Sequence, residues 1–315
     1  MMNFWTRAAK VGFELPRFNT LGSAPENEAC DAKIPDTNCV KLDGRKVAQH
    51  LLEQCKILAR GRVVPHLVVL LVGENAASQV YVGNKQKMFE GCGFSTETIK
   101  ISSTDATPEL LKSVIKKLNS DIAVHGILVQ LPLPAHINAS EMLNSIDRNK
   151  DVDGFLAPNI GGLALGESTA TIACTPFGVM VTLAAYGIQT AGKHAVVVGR
   201  SNIVGKPMAL LLLGADATVT AAHSKTQNLR QICLQADILV AAAGQPQLID
   251  CSYVKPGAVV IDVGMHRLAD GKLCGDVHSS VAQIASAMTP VPGGVGPMTV
   301  AMLAVNTALA AWEAR

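Results

Sequence analysis

The segment Ala195-Val-Val-Val-Gly-Arg-Ser-Asn-Ile-Val-Gly-Lys-Pro207 is the most informative part of the sequence about the fold. Its small apolar residues predict a buried strand, and a glycine-flanked turn and a helix start follow. This order presents backbone N–H groups to a pyrophosphate. The match to the fingerprint G-x-G-x-x-G is imperfect, because Ser201 stands at the second glycine position and Gly205 lies six residues after Gly199. An ordinary βα turn therefore stays an alternative for this stretch alone.

The end of the next predicted strand, 217–221, bears on which dinucleotide binds. NAD-preferring sites usually carry Asp or Glu there to accept from the ribose 2′-OH, whereas this chain has His223-Ser224-Lys225. A carboxylate would repel a 2′-phosphate, while Arg200, Ser224 and Lys225 offer donors and positive charge. The residues favour NADP over NAD. A solvated loop is the alternative for His223 and Lys225.

Around this stretch, short apolar runs alternate with amphipathic stretches, which is typical of βαβ units and a mostly parallel sheet. The length of 315 residues favours two domains. We therefore expect an α/β protein with one α/β layer system before Gly154 and a second, Rossmann-like series after it. Helices are predicted at 44–58, 78–92, 107–119, 176–186 and 297–312, strands at 66–72, around 99, 126–130, 195–198, 217–221, 238–242 and 259–263, and a glycine-rich loop at 159–166.

Composition argues against several classes of protein. Hydrophobic residues make up 49% of the chain and charged residues 17%, which suits a compact soluble enzyme. The formal charge of +2, without a block of Lys and Arg, argues against a nucleic-acid partner. Apolar runs such as 67–72 fall short of the roughly 20 residues of a membrane helix, so no membrane partner is expected. The eight cysteines include no Cys-x-x-Cys pair, so we expect free thiols and no metal site.

Residues 1–38 lack the periodicity of the rest and are interpreted as a poorly ordered extension. The first seventeen residues carry Arg7, Lys10 and Arg17 against a single acid, Glu14. This balance resembles a weak mitochondrial presequence, although the enrichment in Arg and Ser is slight. A cytoplasmic location is expected, and a mitochondrial one is the alternative.

Two residues with useful chemistry share the predicted helix 78–92. Tyr81 and Lys85 are four residues apart, so they project from the same face. A phenol and an amine can then act on one substrate. Shelter from water would disfavour the charged lysine and free its amine as a general base. A surface helix with a core tyrosine is the alternative.

Three further segments add to this pair. Gln130 closes an apolar strand before Pro132, so its amide should lie at the carboxyl end of a parallel strand, where ligands bind. Asp151 and Asp153 stand at alternate positions in a turn, and turn or capping chemistry is the alternative explanation for them. The segment 289–299 is a dense Pro/Gly loop, whose glycines permit close approach to a flat ligand and whose prolines keep it stiff.

In combination these segments resemble one family, the bifunctional methylenetetrahydrofolate dehydrogenase/methenyltetrahydrofolate cyclohydrolases. The resemblance runs from about Lys41 to the C-terminus. It rests on the motifs Tyr81-x-x-x-Lys85, Val129-Gln-Leu-Pro-Leu-Pro134, Lys150-Asp-Val-Asp-Gly154, Gly199-Arg-Ser201, His223-Ser-Lys225 and Pro290-Val-Pro-Gly-Gly-Val-Gly-Pro-Met-Thr299, in this order.

The resemblance implies two activities that share one cleft. These are NADP-dependent oxidation of 5,10-methylenetetrahydrofolate to the methenyl form, and hydrolysis of that form to 10-formyltetrahydrofolate. It also implies a folate-binding domain over 39–173 completed by 297–315, a Rossmann-like NADP domain over 174–296, and a homodimer. A monofunctional NAD(P)-dependent dehydrogenase and a non-catalytic dinucleotide-binding regulator are the alternatives.

The resemblance also implies residue roles. Lys85 is the main catalytic group and Tyr81 orients the folate. Gln130 tunes the lysine, and Asp153 holds the pterin. The implied substrate-binding residues are Tyr81, Lys85, Val129, Gln130, Leu131, Asp153, Pro292, Gly293, Gly294, Val295, Gly296, Pro297 and Thr299, and the implied cofactor-binding residues are Gly199, Arg200, Ser201, Ser224 and Met265. Met265 stands where many relatives have isoleucine, and this apolar change is expected to preserve packing.

Overall fold

The computed structural model describes residues 5–18, 34 and 37–313. The helices are α1 Thr6–Lys10, α2 Gly44–Leu58, α3 Ala76–Gly91, α4 Pro108–Ser120, α5 Ala139–Leu143, α6 Ala157–Leu165, α7 Cys174–Ala185, α8 Gly205–Gly214, α9 Leu229–Cys233 and α10 Val295–Trp312. The strands are β1 Val40–Lys41, β2 His66–Val72, β3 Ser95–Ile101, β4 Gly126–Val129, β5 His194–Val198, β6 Thr218–Ala222, β7 Ile238–Ala241, β8 Val259–Asp262, β9 His266–Arg267, β10 Leu273–Cys274 and β11 Ala287–Met288.

The described residues divide into two compact units. The six-stranded unit contains Trp5, the described part of Leu15–His50, and Thr175–Met302. The three-stranded unit contains Thr6–Glu14, Leu51–Cys174 and the described part of Leu303–Arg315. Each unit has its own parallel sheet, as expected for an α/β protein with two domains.

The three-stranded unit is built around β2, which lies between β3 and β4 and is parallel to both. From Leu67 to Val72 every side chain of β2 is buried. A continuous apolar run, instead of an alternating one, is typical of a central parallel strand covered on both faces. This pattern explains why β2 has the bounds predicted from the sequence.

The six-stranded unit has the strand order β1-β11-β8-β7-β5-β6, and every pairing is parallel. β5, which begins the segment 195–207 discussed above, lies between β6 and β7. Val196 and Val197 of β5 have no exposed surface. A strand so enclosed carries no accessible side chain along its length, so polar chemistry is confined to the loops at its ends.

The contacts group the chain differently from the predicted domains at more than one boundary. Residues 297–302, expected with the folate-binding domain, lie in the six-stranded unit, and Cys174, expected with the NADP domain, lies in the three-stranded unit. Residues 39–50, expected with the N-terminal domain, belong to the six-stranded unit. The cause is β1, which pairs with β11 through Val40 opposite Ala287 and Lys41 opposite Met288. A strand of two residues is too short to show a periodicity, so its partner was not predictable.

The glycine-rich segment 159–166, expected as a loop, belongs largely to α6, so that expectation was wrong. Pro158 lies in the first turn, where its missing N–H costs no helical hydrogen bond. Gly166 ends the helix with φ of +76°, the left-handed conformation that favours glycine. Leu163 is buried and Asn159 bonds to a neighbouring carboxylate. These tertiary contacts outweigh the low helix propensity of glycine.

Residues 5–18 differ from the expected poorly ordered extension, because they are folded. Ala8 of α1 and Phe13 after it are buried. The Arg7 side chain donates to Glu313 at 2.8 Å and to Thr171 Oγ1 at 3.1 Å. Five helical residues are too few to show a helical pattern. The same expectation for residues 1–4, 19–33 and 35–36 lies outside the described residues.

Helix α10 is the one helix in the described part of the chain that is long and apolar enough to cross a membrane. In the structure, 67% of this stretch is buried within the protein. A helix that is apolar all round is typical of a protein core as well as of a membrane span. The burial of α10 fits the core helix.

We expect Phe13→Ala to lower the free energy of unfolding by about 3 kcal/mol, as for other buried phenylalanines. Phe13 is 2% exposed and stacks on Trp312 with ring centroids 6.1 Å apart. Urea unfolding measures the change. The exposed Lys10 of α1 offers the control, since Lys10→Ala should change stability by less than about 0.5 kcal/mol. Identical unfolding of wild type and Phe13→Ala would contradict a stabilising role for this segment.

Candidate active site

Lys85 and Gln130 meet in the three-stranded unit. Lys85 Nζ donates to Gln130 Oε1 at 3.1 Å. Gln130 follows β4, and its backbone N–H extends the ladder by donating to Leu70 O at 2.9 Å. Its side-chain Nε2 donates to Leu131 O at 2.8 Å, which leaves the amide oxygen for the lysine. The strand end therefore positions the amide, as the sequence predicted.

Tyr81 lies one turn before Lys85 on α3. The helix buries Val82 and Phe89, whereas Tyr81 is 48% exposed. The alternative of a core tyrosine is therefore wrong. An exposed ring next to an amine offers a flat apolar surface to a ligand that the amine also reaches.

The two carboxylates of the predicted turn have different surroundings. Asp151 is buried and accepts hydrogen bonds from Gly154 N at 2.9 Å, Leu156 N at 2.9 Å and Asn159 Nδ2 at 2.8 Å. It therefore has the capping role that was the alternative explanation for the pair. The oxygens of the Asp151 carboxylate are therefore occupied by hydrogen bonds that stabilise the turn.

Asp153 faces Lys85 instead. Burial raises the pKa of Asp153 to about 6, while the positive charge of Lys85 opposes that rise and the negative charge of Asp151 adds to it. Lys85, Gln130 and Asp153 are thus brought together as a base, an amide and a carboxyl group. Such a group can donate to, accept from and exchange protons with one ligand.

Cys174, at the start of α7, is a neighbour that sequence reasoning missed. Its thiol makes hydrogen-bond contact with the Asp153 side chain and with Val152 O at 3.3 Å. Asn306 Nδ2 lies 3.6 Å from its sulfur. Burial raises the pKa of Cys174 well above its usual value, so the sulfur stays a neutral thiol. A single cysteine has no spacing pattern that would have marked it.

The six-stranded unit has a cavity of about 420 Å³ where β5, β6 and β7 end. Four of the predicted cofactor-binding residues line it. The lining residues are Val198, Gly199, Arg200, Ser201, His223, Ser224, Thr226, Leu229, Ala242, Ala243, Gln245 and Leu248. The carboxyl ends of parallel strands are the expected place for a nucleotide.

The turn after β5 depends on two glycines. Gly199 has φ of +141°, and a Cβ there would collide with the carbonyl of Ala242. A Cβ on Gly205 would collide with the carbonyl of Gly199. Close packing of the chain's own backbone therefore requires glycine at both positions.

Ser201 has a role that the glycine comparison did not predict. Its Oγ accepts from Val204 N at 3.1 Å and from Gly205 N at 3.3 Å. The side chain thereby caps the first turn of α8 from within the loop. A glycine at this position would leave those two N–H groups without this acceptor.

The part of the cavity lined by Arg200 and Ser224 has the chemistry to bind a phosphorylated ribose. Arg200 and Ser224 are both exposed and line the same space. None of the described residues that line it is Asp or Glu. Lys225 is not among the lining residues, and its backbone N–H donates to His223 Nδ1 at 3.2 Å. The cavity thus suits a dinucleotide with a 2′-phosphate, held by a guanidinium and a hydroxyl.

The Pro/Gly loop 289–299 is tightly packed within the six-stranded unit. Gly294 N donates to Pro290 O at 2.8 Å, and Gly293 has φ of +110°. Gly293 O accepts from Arg45 N at 3.2 Å. A Cβ on Gly44 would collide with Gly294 O. Close backbone contact explains why this loop needs glycine.

The other site residues predicted from the sequence are divided between the three-stranded and the six-stranded unit. Val129 is buried in β4. Met265 is 41% exposed and lies beside Gly296, not in the lining of the cavity. Thr299 Oγ1 lies 2.9 Å from Thr175 Oγ1. The remaining predicted residues of the loop are the exposed Pro292, the buried Val295 and the half-buried Pro297.

Two domain models of one protein family match the two parts of the chain. The model of the tetrahydrofolate dehydrogenase/cyclohydrolase catalytic domain matches residues 42–153. The model of the NAD(P)-binding domain of the same family matches residues 173–315.

Two similar proteins are both named bifunctional protein FolD. The bifunctional protein FolD of Campylobacter concisus is 53% identical over 275 residues, which cover 86% of this chain and 96% of that protein. The bifunctional protein FolD of Magnetococcus marinus is 50% identical over 272 residues, or 84% of this chain and 95% of that protein.

Solved structures are similar as well. The bifunctional FolD dehydrogenase/cyclohydrolase of Campylobacter jejuni superposes with a TM-score of 0.84 at 46% identity, over 87% of this chain and 98% of that one. The Trypanosoma brucei enzyme, complexed with NADP cofactor and inhibitor, has a TM-score of 0.81 at 39% identity, over 86% and 97%. The chain therefore belongs to the tetrahydrofolate dehydrogenase/cyclohydrolase family.

Proposed function

We propose that the protein oxidises 5,10-methylenetetrahydrofolate with NADP and hydrolyses the resulting methenyl form to 10-formyltetrahydrofolate. The observation that carries this proposal is the grouping of Lys85, Gln130 and Asp153 in a chain that also has a cavity suited to NADP. The presence of Tyr81, Lys85 and Gln130, with the Lys85–Gln130 contact formed, counts against a dehydrogenase without hydrolase activity.

In the oxidation step the residues of this chain act by binding and orientation. When bound, NADP supplies the nicotinamide C4 that accepts a hydride from the methylene carbon. Arg200 and Ser224 are proposed to bind the 2′-phosphate, and Gly199, which lines the same cavity, is proposed to lie against the pyrophosphate. We propose that Met265 packs on the nicotinamide side and that the loop 292–297 lines the folate site.

In the hydrolysis step Lys85 is proposed to move protons. Water oxygen bonds to the cationic methenyl carbon while Lys85 takes a proton from that water. The hydroxyl group formed on this carbon then loses its proton as the C=O bond forms and the bond from the carbon to N5 breaks. N5 takes up a proton, and the carbon stays on N10 as a formyl group. One proton is released overall, since a cation becomes a neutral product. Gln130 holds the lysine in place through its Oε1.

Asp153 and Tyr81 are proposed to hold the substrate. An ionised carboxylate accepts N–H groups from the pterin ring, and the exposed Tyr81 ring packs on the flat folate. Val129, Leu131 and Thr299 complete the proposed substrate-binding set.

Three wider assignments rest on family resemblance. We propose a homodimer, which light scattering tests, and functional domains over 39–173 with 297–315 and over 174–296. We also propose a cytoplasmic location, because the relatives at 50–53% identity come from bacteria. The packing of Arg7 and Phe13 supports residues 5–18 as part of the folded enzyme.

We expect Lys85→Met to slow methenyl hydrolysis by at least about 100-fold, because the proton carrier is lost. Loss of methenyl absorbance, corrected for the uncatalysed rate, measures this. NADP affinity should stay within about twofold. Lys87→Met is the matched control, since Lys87 is an exposed lysine on the same helix. Hydrolysis by Lys85→Met at the wild-type rate would refute the role.

For the dinucleotide, we expect Arg200→Ala to lower kcat/KM with NADP by about tenfold or more and that with NAD by less than twofold. The reason is loss of charge-assisted hydrogen bonds to a phosphate that NAD lacks. Lys206→Ala is the control, because Lys206 is exposed and bonds to Asn202 at 2.7 Å. Equal losses with both dinucleotides would contradict the 2′-phosphate role.

The Asp153 pKa of about 6 predicts a pH dependence. Below that pH the carboxyl group is protonated and no longer accepts from the pterin, so kcat/KM for methylenetetrahydrofolate should fall with a slope of about one. Asp262 also has its pKa raised to about 6, so the profile alone does not identify the group. Asp153→Asn should have low kcat/KM and lose this slope. A variant that keeps the slope would assign it elsewhere.

A further inference from the structure

A cluster of buried polar groups lies in the six-stranded unit beside the residues assigned above. Asp276 has no exposed surface and Asp262 is 3% exposed. His266 Nε2 donates to Asp276 Oδ1 at 2.7 Å. None of these three residues was singled out by the sequence motifs.

The Asp276 carboxylate accepts three consecutive backbone N–H groups. They belong to Ala243 at 2.6 Å, Gly244 at 3.0 Å and Gln245 at 3.0 Å. Gly244 has φ of +67°, the left-handed conformation found where successive N–H groups converge on an anion. Here the anion is a side chain of the same chain. Three charge-assisted hydrogen bonds therefore hold the backbone of residues 243–245.

Residues 243–245 form one wall of the dinucleotide cavity. They follow β7, and both Ala243 and Gln245 line the space that Arg200 and Ser224 also line. No charged group of the wall itself faces that space, since the lining side chains there are Ala and Gln. The position of this wall is therefore set from behind by Asp276.

Asp276 is in turn held by Asp262. The Asp276 N–H donates to Asp262 Oδ1 at 2.9 Å, and Val277 N donates to Oδ2 at 3.0 Å. Gly264 and Gly275 enclose the pair so closely that a Cβ on either would collide with one of the two carboxylates. The two carboxylates are therefore packed directly against the backbone, with no space for a side chain at either glycine.

We propose that Asp276 is a positioning residue for the dinucleotide, which together with His266 fixes residues 243–245 as the wall against which NADP binds. The proposal rests on the NADP-dependent dehydrogenase activity proposed above. Asp276 is buried, and in this role it affects the affinity for the cofactor through residues 243–245, without touching the cofactor itself.

The first test is Asp276→Asn. An amide turns an NH₂ group toward backbone donors, so at least one of the three hydrogen bonds is lost. We expect KM for NADP to rise about tenfold while kcat stays within about twofold. Methenyl hydrolysis, which consumes no dinucleotide, is the internal reference, and the ratio of dehydrogenase kcat/KM to hydrolysis should fall about tenfold.

The control is Asp250→Asn. The Asp250 carboxylate accepts from Ser252 N at 2.8 Å at a turn outside the lining of the cavity. KM for NADP should not change in this variant. A merely structural role for Asp276 predicts that both activities of Asp276→Asn fall together with an unchanged KM, and that result would overturn the proposal.

A second pair of variants decides the question if Asp276→Asn does not fold. His266→Ala removes one partner of Asp276 and should raise KM for NADP about threefold. His266→Gln keeps a donor and should restore most of the affinity. Equal KM values for the two variants would overturn the proposal. Failure of the proposed function would differ from all of these, because the unmodified protein would then not reduce NADP.

Discussion

The structure depends on one constraint, which is that its central strands are covered on both faces. Val69 of β2 and Val196 of β5 have no exposed surface, so these strands carry core residues only. Among the residues of these strands, side chains that contact ligands are therefore expected only at the strand ends, while Tyr81 and Lys85 are supplied by helix α3. Gln130 follows β4 and Gly199 follows β5, each at a carboxyl end, where N–H and C=O groups leave the ladder.

The buried carboxylates illustrate how structural and chemical roles are separated. Asp151 and Asp276 each accept from several N–H donors, and this use leaves them little capacity for a ligand. Asp153 has instead a lysine and a thiol as neighbours. Residue type alone does not separate these cases. The number of backbone donors that converge on each carboxylate does.

Features set by local sequence could be predicted, whereas contacts between residues distant in sequence could not. The spacing of Tyr81 and Lys85, and the end of β4 at Gln130, follow from local periodicity, which a single sequence displays. The partnership of β1 with β11 joins residues some 250 positions apart and leaves no local pattern. Asp276 and Cys174 were missed for the same reason, because their partners are backbone groups and side chains brought near by the fold.

The charges of Lys85 and Asp153 are linked, and this linkage bears on how the site works. The positive charge of Lys85 lowers the pKa of Asp153, against the larger effect of burial. A neutral residue at position 85 would remove that effect, so the carboxyl group would hold its proton to a higher pH. We therefore propose two roles for the lysine, one in each protonation state. The neutral amine takes a proton from water in hydrolysis, and the charged form helps keep ionised the carboxylate that we propose accepts from the pterin.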